Sequence, residues 1–201
     1  ERHGLKDPRT MTRDRVSQAI MQEILAGRGI RGGVAVDFAT IPPERREQPR
    51  SSDRASSHGW SGRRVIETNV IGLIRVTRAV IPGMIARDRG HVVNIGSISG
   101  YKPYATGTIY AASKFAVHGF SESLRLDYRD TGVRVTEILP GMVRTGFAMS
   151  RWGDDKRAKK FYDDFGTCLN PEDVARTIAF AVQQPPHVVI SQLVVVPNSQ
   201  T

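Results

Sequence analysis

From about Val65 the chain alternates helical and strand periodicities separated by short turns, which is the signature of a parallel α/β sheet with crossover helices. The first predicted helix runs from about Arg64 to Arg87. It is apolar around so much of its circumference (Ile66, Val70, Leu73, Ile74, Val76, Val80, Ile81, Met84) that it must pack on the sheet and on something else as well. The stretch His91 to Ser97 is a near-continuous apolar run, as in strands covered on both faces. A second helix is predicted from Thr108 to Arg129, followed by the strand Val133 to Leu139, which Pro140-Gly141 stops. Beyond a polar loop with a short helical stretch, about Asp154 to Phe165, Asn170-Pro171-Glu172-Asp173 reads as an N-cap, a first-turn proline and two acids that suit the helix dipole. That helix extends to about Gln183, and Val188 to Val196 closes the chain, mostly as a buried strand. No internal repeat is visible.

Residues 1–63 have a different texture, rich in Arg, Ser, Pro and Gly, and Pro42 to Arg54 offers no apolar side chain beyond its prolines and is expected as loop or disorder. A helix from Thr12 to Ala26 and a strand from Val34 to Phe38 are the two structured pieces expected there. The division is thus 1–63, divergent and Arg-rich, and 64–201, regular α/β. The net charge of +9 leans on the front: residues 1–64 hold 13 Lys/Arg against 8 Asp/Glu. This basicity raises nucleic acid as a partner, but the absence of interleaved aromatics and of a recognised module argues against it. No run approaches the roughly 18 apolar residues of a membrane helix, and the polar start does not resemble a secretory signal. With a single cysteine, Cys168, read as a structural thiol, the expectation is a cytoplasmic protein without a membrane segment or metal site.

The chemistry concentrates in Tyr110-Ala111-Ala112-Ser113-Lys114. On a helix, a phenol and an ammonium four residues apart project from one face. A fixed positive charge favours the phenolate and draws a phenol, ordinarily of pKa about 10, toward useful acid/base strength near neutrality. Thirteen residues earlier, Ser97 lies where the strand Val92 to Ile95 runs out, and open parallel sheets bind ligands at these carboxyl ends. Ser97 is placed to donate a hydrogen bond to a substrate oxygen. His91, His118 and His187 lack metal spacing and read as structural or surface residues.

With Thr68-Asn69-Val70, Asn94-Ile95-Gly96-Ser97, Tyr110 to Lys114 and Pro140-Gly141-Met142-Val143-Arg144-Thr145 in order, the chain from about Val65 to Thr201 closely resembles the short-chain dehydrogenase/reductase family. The resemblance implies a Rossmann-like, doubly wound parallel sheet and NAD(P)-dependent hydride transfer between a nicotinamide and a small hydroxy or carbonyl compound. It implies Tyr110 as general acid/base, Ser97 orienting the substrate oxygen, and Lys114 also holding the nicotinamide ribose. Asn69 would anchor a water linking Lys114 to solvent. Pro140 and Gly141 form the cofactor-side turn, and Val143 and Thr145 would contact the nicotinamide carboxamide. Arg78 to Met84 and the tail from Asn170 through Val188 resemble the branch acting on serine and other 3-hydroxy acids, so NADP is favoured over NAD. The charged segment Phe147 to Phe165 occupies the family's substrate loop and is either a guide for an anionic substrate or a solvated amphipathic helix.

The front departs from the family pattern. Gly27-Arg28-Gly29-Ile30-Arg31-Gly32 satisfies a literal G-x-G-x-x-G, yet it follows a helical pattern and precedes a strand, the reverse of a dinucleotide turn. The family's glycine-rich turn and Asn-Asn-Ala-Gly segment have no counterpart. The expectation is a dinucleotide half truncated to leave about four parallel strands, with residues 1–63 arising from truncation, fusion or a shifted reading frame. Two functions follow: an oxidoreductase, or a catalytically inactive fragment acting through oligomerisation. In either, the helices near 64–87 and 108–129 are those through which the family builds homodimers and homotetramers.

Overall fold

The computed structural model describes residues 62–200 together with the backbone of the strand Gly33–Val36. Strands β1 (Gly33–Val36), β2 (Gly90–Ile95), β3 (Val133–Pro140) and β4 (Gln192–Val195) form one sheet in that order, and every pairing is parallel. This is the parallel α/β sheet that the alternating pattern predicts, Rossmann-like and with the four strands expected from the family resemblance. The expected helix from Thr12 to Ala26 and the loop from Pro42 to Arg54 lie outside the described residues.

Among the described residues, five helices accompany the strands: α1 (Gly62–Ala86), α2 (Thr108–Asp127), α3 (Phe147–Trp152), α4 (Asp155–Phe165) and α5 (Pro171–Val182). Helices α1 and α2 cover one face of the sheet, where Ile81, Met84 and Leu124 pack on Val92, Val133 and Val135. Helix α5 covers the other, setting Val174, Ala175 and Ile178 against Val93 and Ile138. Successive strand side chains point to opposite faces. A strand buried on both sides therefore needs apolar residues in succession, as β2 and β3 supply. The start of α5 follows the sequence signal, with the Asn170 amide donating to the Asp173 carboxylate at 2.7 Å and Pro171 as its first residue.

Three differences from the sequence reading have physical causes. The last strand is Gln192–Val195, not most of Val188 to Val196, because the guanidinium of Arg134 gathers the carbonyls of Gln184 and Val188 (2.9 and 3.2 Å) and holds that approach as a loop. Helix α3 is six residues long, closed by Gly153 in the left-handed region (φ 65°), and is too short to display a periodicity. Helix α1 is, by length and composition, long and apolar enough to cross a membrane, contrary to the expectation that no run approaches one. Its buried side chains, Leu73, Thr77, Ile81 and Met84, are spaced as those of a helix lying on a sheet.

Candidate active site

The site forms where β2 and β3 end. Lys114 is 3% exposed, and its ammonium donates to the carbonyl of Ile95, the last residue of β2, at 2.9 Å. Its nitrogen lies 5.8 Å from the ring centroid of Tyr110, one helical turn earlier on α2. Two residues beyond Ile95, Ser97 is buried in extended backbone; its hydroxyl accepts from the Ser99 amide at 3.1 Å and faces the Pro140 carbonyl at 3.5 Å. The carboxyl end of the sheet thus gathers Ser97, Lys114 and Tyr110, with Pro140 as the last residue of β3.

Asn69 joins them through α1. It lies in a π-helical stretch, Glu67–Gly72, a distortion that recurs at functional sites because it re-aims side chains. Its side-chain amide donates to Ser113 Oγ at 3.1 Å, and Ser113 Oγ donates to the carbonyl of Tyr110 at 2.7 Å. Asn69 therefore clamps the turn of α2 that carries the phenol and the ammonium.

The loop after β3 is held differently. Gly141 donates to Val195 at 2.8 Å, Met142 donates to the Gln200 side chain at 2.8 Å, and Val143 bridges to Leu169. An added Cβ at Gly141 would lie 2.2 Å from Gln200 Oε1, so a side chain here would displace the amide oxygen that holds Met142. Thr145 Oγ1 accepts from the Phe147 amide at 3.1 Å, while the Thr145 carbonyl accepts from the Tyr162 hydroxyl at 3.0 Å. The bonds of Val143 and Thr145 thus run toward α3, α4 and the segment before α5, and not toward Tyr110 or Lys114.

Several contributors escaped the sequence reading. Phe147 meets the Tyr110 ring edge-on at 5.4 Å. One turn later on α3, the buried Arg151 donates to the Tyr104 hydroxyl at 3.2 Å and the Thr106 carbonyl at 3.0 Å. Thr106 has φ 68°, an uncommon conformation for a β-branched residue, and Gly107 lies so close to the Tyr104 ring that an added Cβ would sit 2.4 Å from it. Arg151 thereby fastens α3 to the loop that leads into α2. Within the charged segment that was expected either to guide an anion or to be a solvated helix, α4 pairs Lys159 with Asp163 and Lys160 with Asp164 on its exposed side.

The histidines do more than fill space. Glu137 is fully buried and accepts from His118 Nδ1 at 2.8 Å, and burial raises its pKa against the opposing pull of that bond. His91 is buried on the opposite face of the sheet against Thr136 Oγ1 at 2.7 Å. Desolvation and then Arg134 lower its pKa to about 4. Cys168 is half-buried and its thiol pKa is pushed up by that burial. Among the described residues there is no group of three or more side chains fit to hold a metal ion.

A residue set of this kind has recorded relatives. The family model for short chain dehydrogenase matches residues 46–156, beginning ahead of the Val65 limit of the sequence resemblance. The chain is 45% identical over 150 residues to the NADP-dependent 3-hydroxy acid dehydrogenase YdfG of Salmonella typhi, covering 74% of this chain and 59% of that protein. It is 39% identical over 153 residues to the sulfoacetaldehyde reductase of Chromohalobacter salexigens, covering 76% of this chain and 60% of that protein. The chain thus spans about three fifths of the length of these relatives. Among solved structures, the closed form of serine dehydrogenase complexed with NADP+ superposes with a TM-score of 0.71 at 34% identity, covering 90% of this chain and 72% of that one. With its parallel sheet, its ordered motifs and these relatives, the chain belongs to the short-chain dehydrogenase/reductase family.

Proposed function

We propose that this chain is an oxidoreductase that interconverts a small hydroxy acid, of the 3-hydroxy acid class, and its oxo form with NADP(H), NAD(H) being the less favoured cofactor. The observation that carries the reading is the buried ammonium of Lys114, fixed on the Ile95 carbonyl one helical turn from Tyr110 and two residues from Ser97. The names of the relatives supply the substrate class and the cofactor. The donor set suits the nicotinamide end of such a cofactor, since an ammonium and a phenol on one helix face are donors to a ribose diol. Pro140 and Gly141 would border it, with Val143 and Thr145 further along. Residues for the pyrophosphate and adenosine are not found among those described.

When bound, NADPH supplies the hydride. Tyr110 gives its phenolic proton to the substrate carbonyl oxygen in reduction and takes it from the hydroxyl in oxidation. Ser97 donates a hydrogen bond to that oxygen, fixing it against the phenol. Lys114 favours the phenolate form that Tyr110 takes up between protons. Asn69, through Ser113, keeps the two on one helical turn and would anchor the water that returns the proton. The exposed apolar side chains Ile71 and Ile85 of α1 and Phe115 and Leu126 of α2 support association as a homodimer or homotetramer through these helices.

The test is NADPH titration of the full chain by intrinsic fluorescence, followed by absorbance assays with serine and other 3-hydroxy acids. Tight binding with turnover, and a kcat lowered about 10²-fold or more in Tyr110→Phe with NADPH binding retained, is the expected result. Stable oligomers that bind no NADPH would identify an inactive fragment instead. Undiminished turnover in Tyr110→Phe would remove the tyrosine from its role.

A further inference from the structure

We propose that Glu137 and His118 form a second ionisable pair, coupled to Lys114 through the Ile95–Gly96 peptide, that acts as a positioning pair for the Tyr110–Lys114 couple. This deepens the dehydrogenase reading and rests on it for its effect on turnover, though not for the coupling itself.

The geometry begins with a row of polar residues across the sheet. Asn94 of β2 pairs in register with Glu137 of β3, which pairs with Gln192 of β4, all on the face that α2 covers. Helix α2 answers each strand with one partner. Ser121 Oγ accepts from Asn94 at 2.9 Å, His118 bonds Glu137 at 2.8 Å, and Glu122 accepts from Gln192 at 2.5 Å. Tyr110, Lys114, His118 and Glu122 follow at four-residue intervals, so one stripe of the helix runs from the phenol to this row.

The carboxylate of Glu137 is central in the row and has no exposed surface. Its Oε2 takes the His118 bond, whereas Oε1 has no hydrogen-bond partner among the described residues and is pressed against the backbone of Gly96. A Cβ at Gly96 would stand 2.2 Å from that oxygen, so the carboxylate can lie there because the residue beneath it is glycine. The Ile95 carbonyl, belonging to the peptide that joins Ile95 to Gly96, takes the Lys114 ammonium at 2.9 Å. One peptide unit therefore separates the carboxylate from the ammonium, and the next residue is Ser97.

Among the described residues, the ionisable groups facing Glu137 are Lys114, His118 and Glu122 from α2, the last held by Arg125; Asn94 from β2 and Gln192 from β4 are uncharged. Buried charges separated by so little low-dielectric material interact far more strongly than exposed ones. A negative Glu137 holds Lys114 in its charged form and, being the same sign as a phenolate, opposes ionisation of Tyr110. When Glu137 takes up a proton, that opposition falls. His118, about a third of whose side chain is exposed, links the buried carboxylate to the surface.

Coupling is reciprocal, so it is measurable without turnover. Glu137 is followed by its carboxyl ¹³C shift in the full chain as a function of pH, in wild type and in Lys114→Met. Loss of the ammonium is expected to raise the Glu137 midpoint by about half a unit or more. A midpoint unchanged by Lys114→Met would overturn the coupling. In the enzyme assay, the nearly isosteric Glu137→Gln is expected to move the basic midpoint of the oxidative pH–rate profile to lower pH by a similar amount, with Glu137→Asp returning it toward wild type. A merely structural Glu137 would change the rate and leave the midpoint in place, which overturns the positioning role. A wild type that shows the ¹³C coupling but turns over no hydroxy acid would count against the dehydrogenase reading alone.

Discussion

The buried His91 makes a quantitative prediction about acid stability. Thr136 Oγ1 donates its proton to the Ile190 carbonyl at 2.7 Å and so must accept from His91 Nε2, which fixes the neutral tautomer with its proton on Nε2. Nδ1 has no partner among the described residues, so a second proton there would create a buried, unpaired charge. This is the structural cause of a pKa lowered from 6.5 to about 4. A base depressed in the folded state stabilises above its unfolded pKa and loses that contribution as pH falls, because the unfolded chain binds the proton first. With those two values, protonation of the unfolded chain costs roughly 2–3 kcal/mol of stability at pH 4.5 and almost nothing at pH 7. The perturbation is His91→Gln, which keeps an amide N–H for Thr136 and does not titrate. Urea unfolding of both proteins at pH 7 and 4.5 gives the difference of differences, in which the titration of all other carboxylates and histidines cancels. Between the two pH values wild type should lose about 2 kcal/mol more than the variant, or roughly 4–8 °C more in Tm for a chain of this size. Parallel loss of stability in the two proteins would refute the assignment of a neutral buried histidine.

Two other substitutions probe the site from its supports. Gly96→Ala places a methyl group where Glu137 Oε1 now lies, and overpacking of this kind costs about 1–3 kcal/mol, read in a urea midpoint. Adding Glu137→Ala should recover part of it, and a double variant no more stable than the single one would show that the clash is elsewhere. Arg151→Met removes the two hydrogen bonds that fasten α3 to Tyr104 and Thr106, so Phe147 is no longer held against Tyr110. Hydrogen bonds to a charged group are worth about 1.5–3 kcal/mol, which makes a KM for the hydroxy acid raised about tenfold or more the expected result, with thermal stability reporting any wider loss.

Much of the fold was legible because both faces of the sheet are apolar. Runs such as Val92-Val93 and Ile138-Leu139 can only be strands covered on each side, and the intervening helices announce themselves by their spacing. Ser97, Tyr110 and Lys114 were legible for a related reason: two share a helix face, and the third marks the end of a strand. What was illegible is pairing between segments distant in sequence. Glu137 lies inside a stretch read simply as a strand, and nothing local to it indicates that His118, nineteen residues earlier, turns inward to meet it. Arg151 looks like one more charge in a charged loop until Tyr104 and Thr106, more than forty residues earlier, come to its side. The π-helical winding around Asn69 likewise leaves the apolar periodicity of α1 almost intact and so gives no sequence signal.

The polar row across β2, β3 and β4 also bears on why the site assembles at all. An apolar strand between two apolar faces specifies its register poorly, since a shift of one residue exchanges one set of aliphatic side chains for another. In β3 the exchange is not neutral. A slip by one residue would turn Glu137 toward the α5 face, among Val174, Ala175 and Ile178, and bring Ile138 beneath His118. It would leave a buried carboxylate without its imidazole, a cost of several kcal/mol. Asn94 and Gln192 place the same constraint on their own strands through Ser121 and Glu122. The register so fixed sets Ile95 opposite Ile138, and with it the carbonyl that receives Lys114 and the turn that presents Ser97 beside Pro140. The carboxylate that is costly to bury is thus the feature that aligns the strand ends at which Lys114 is bound and Ser97 is presented.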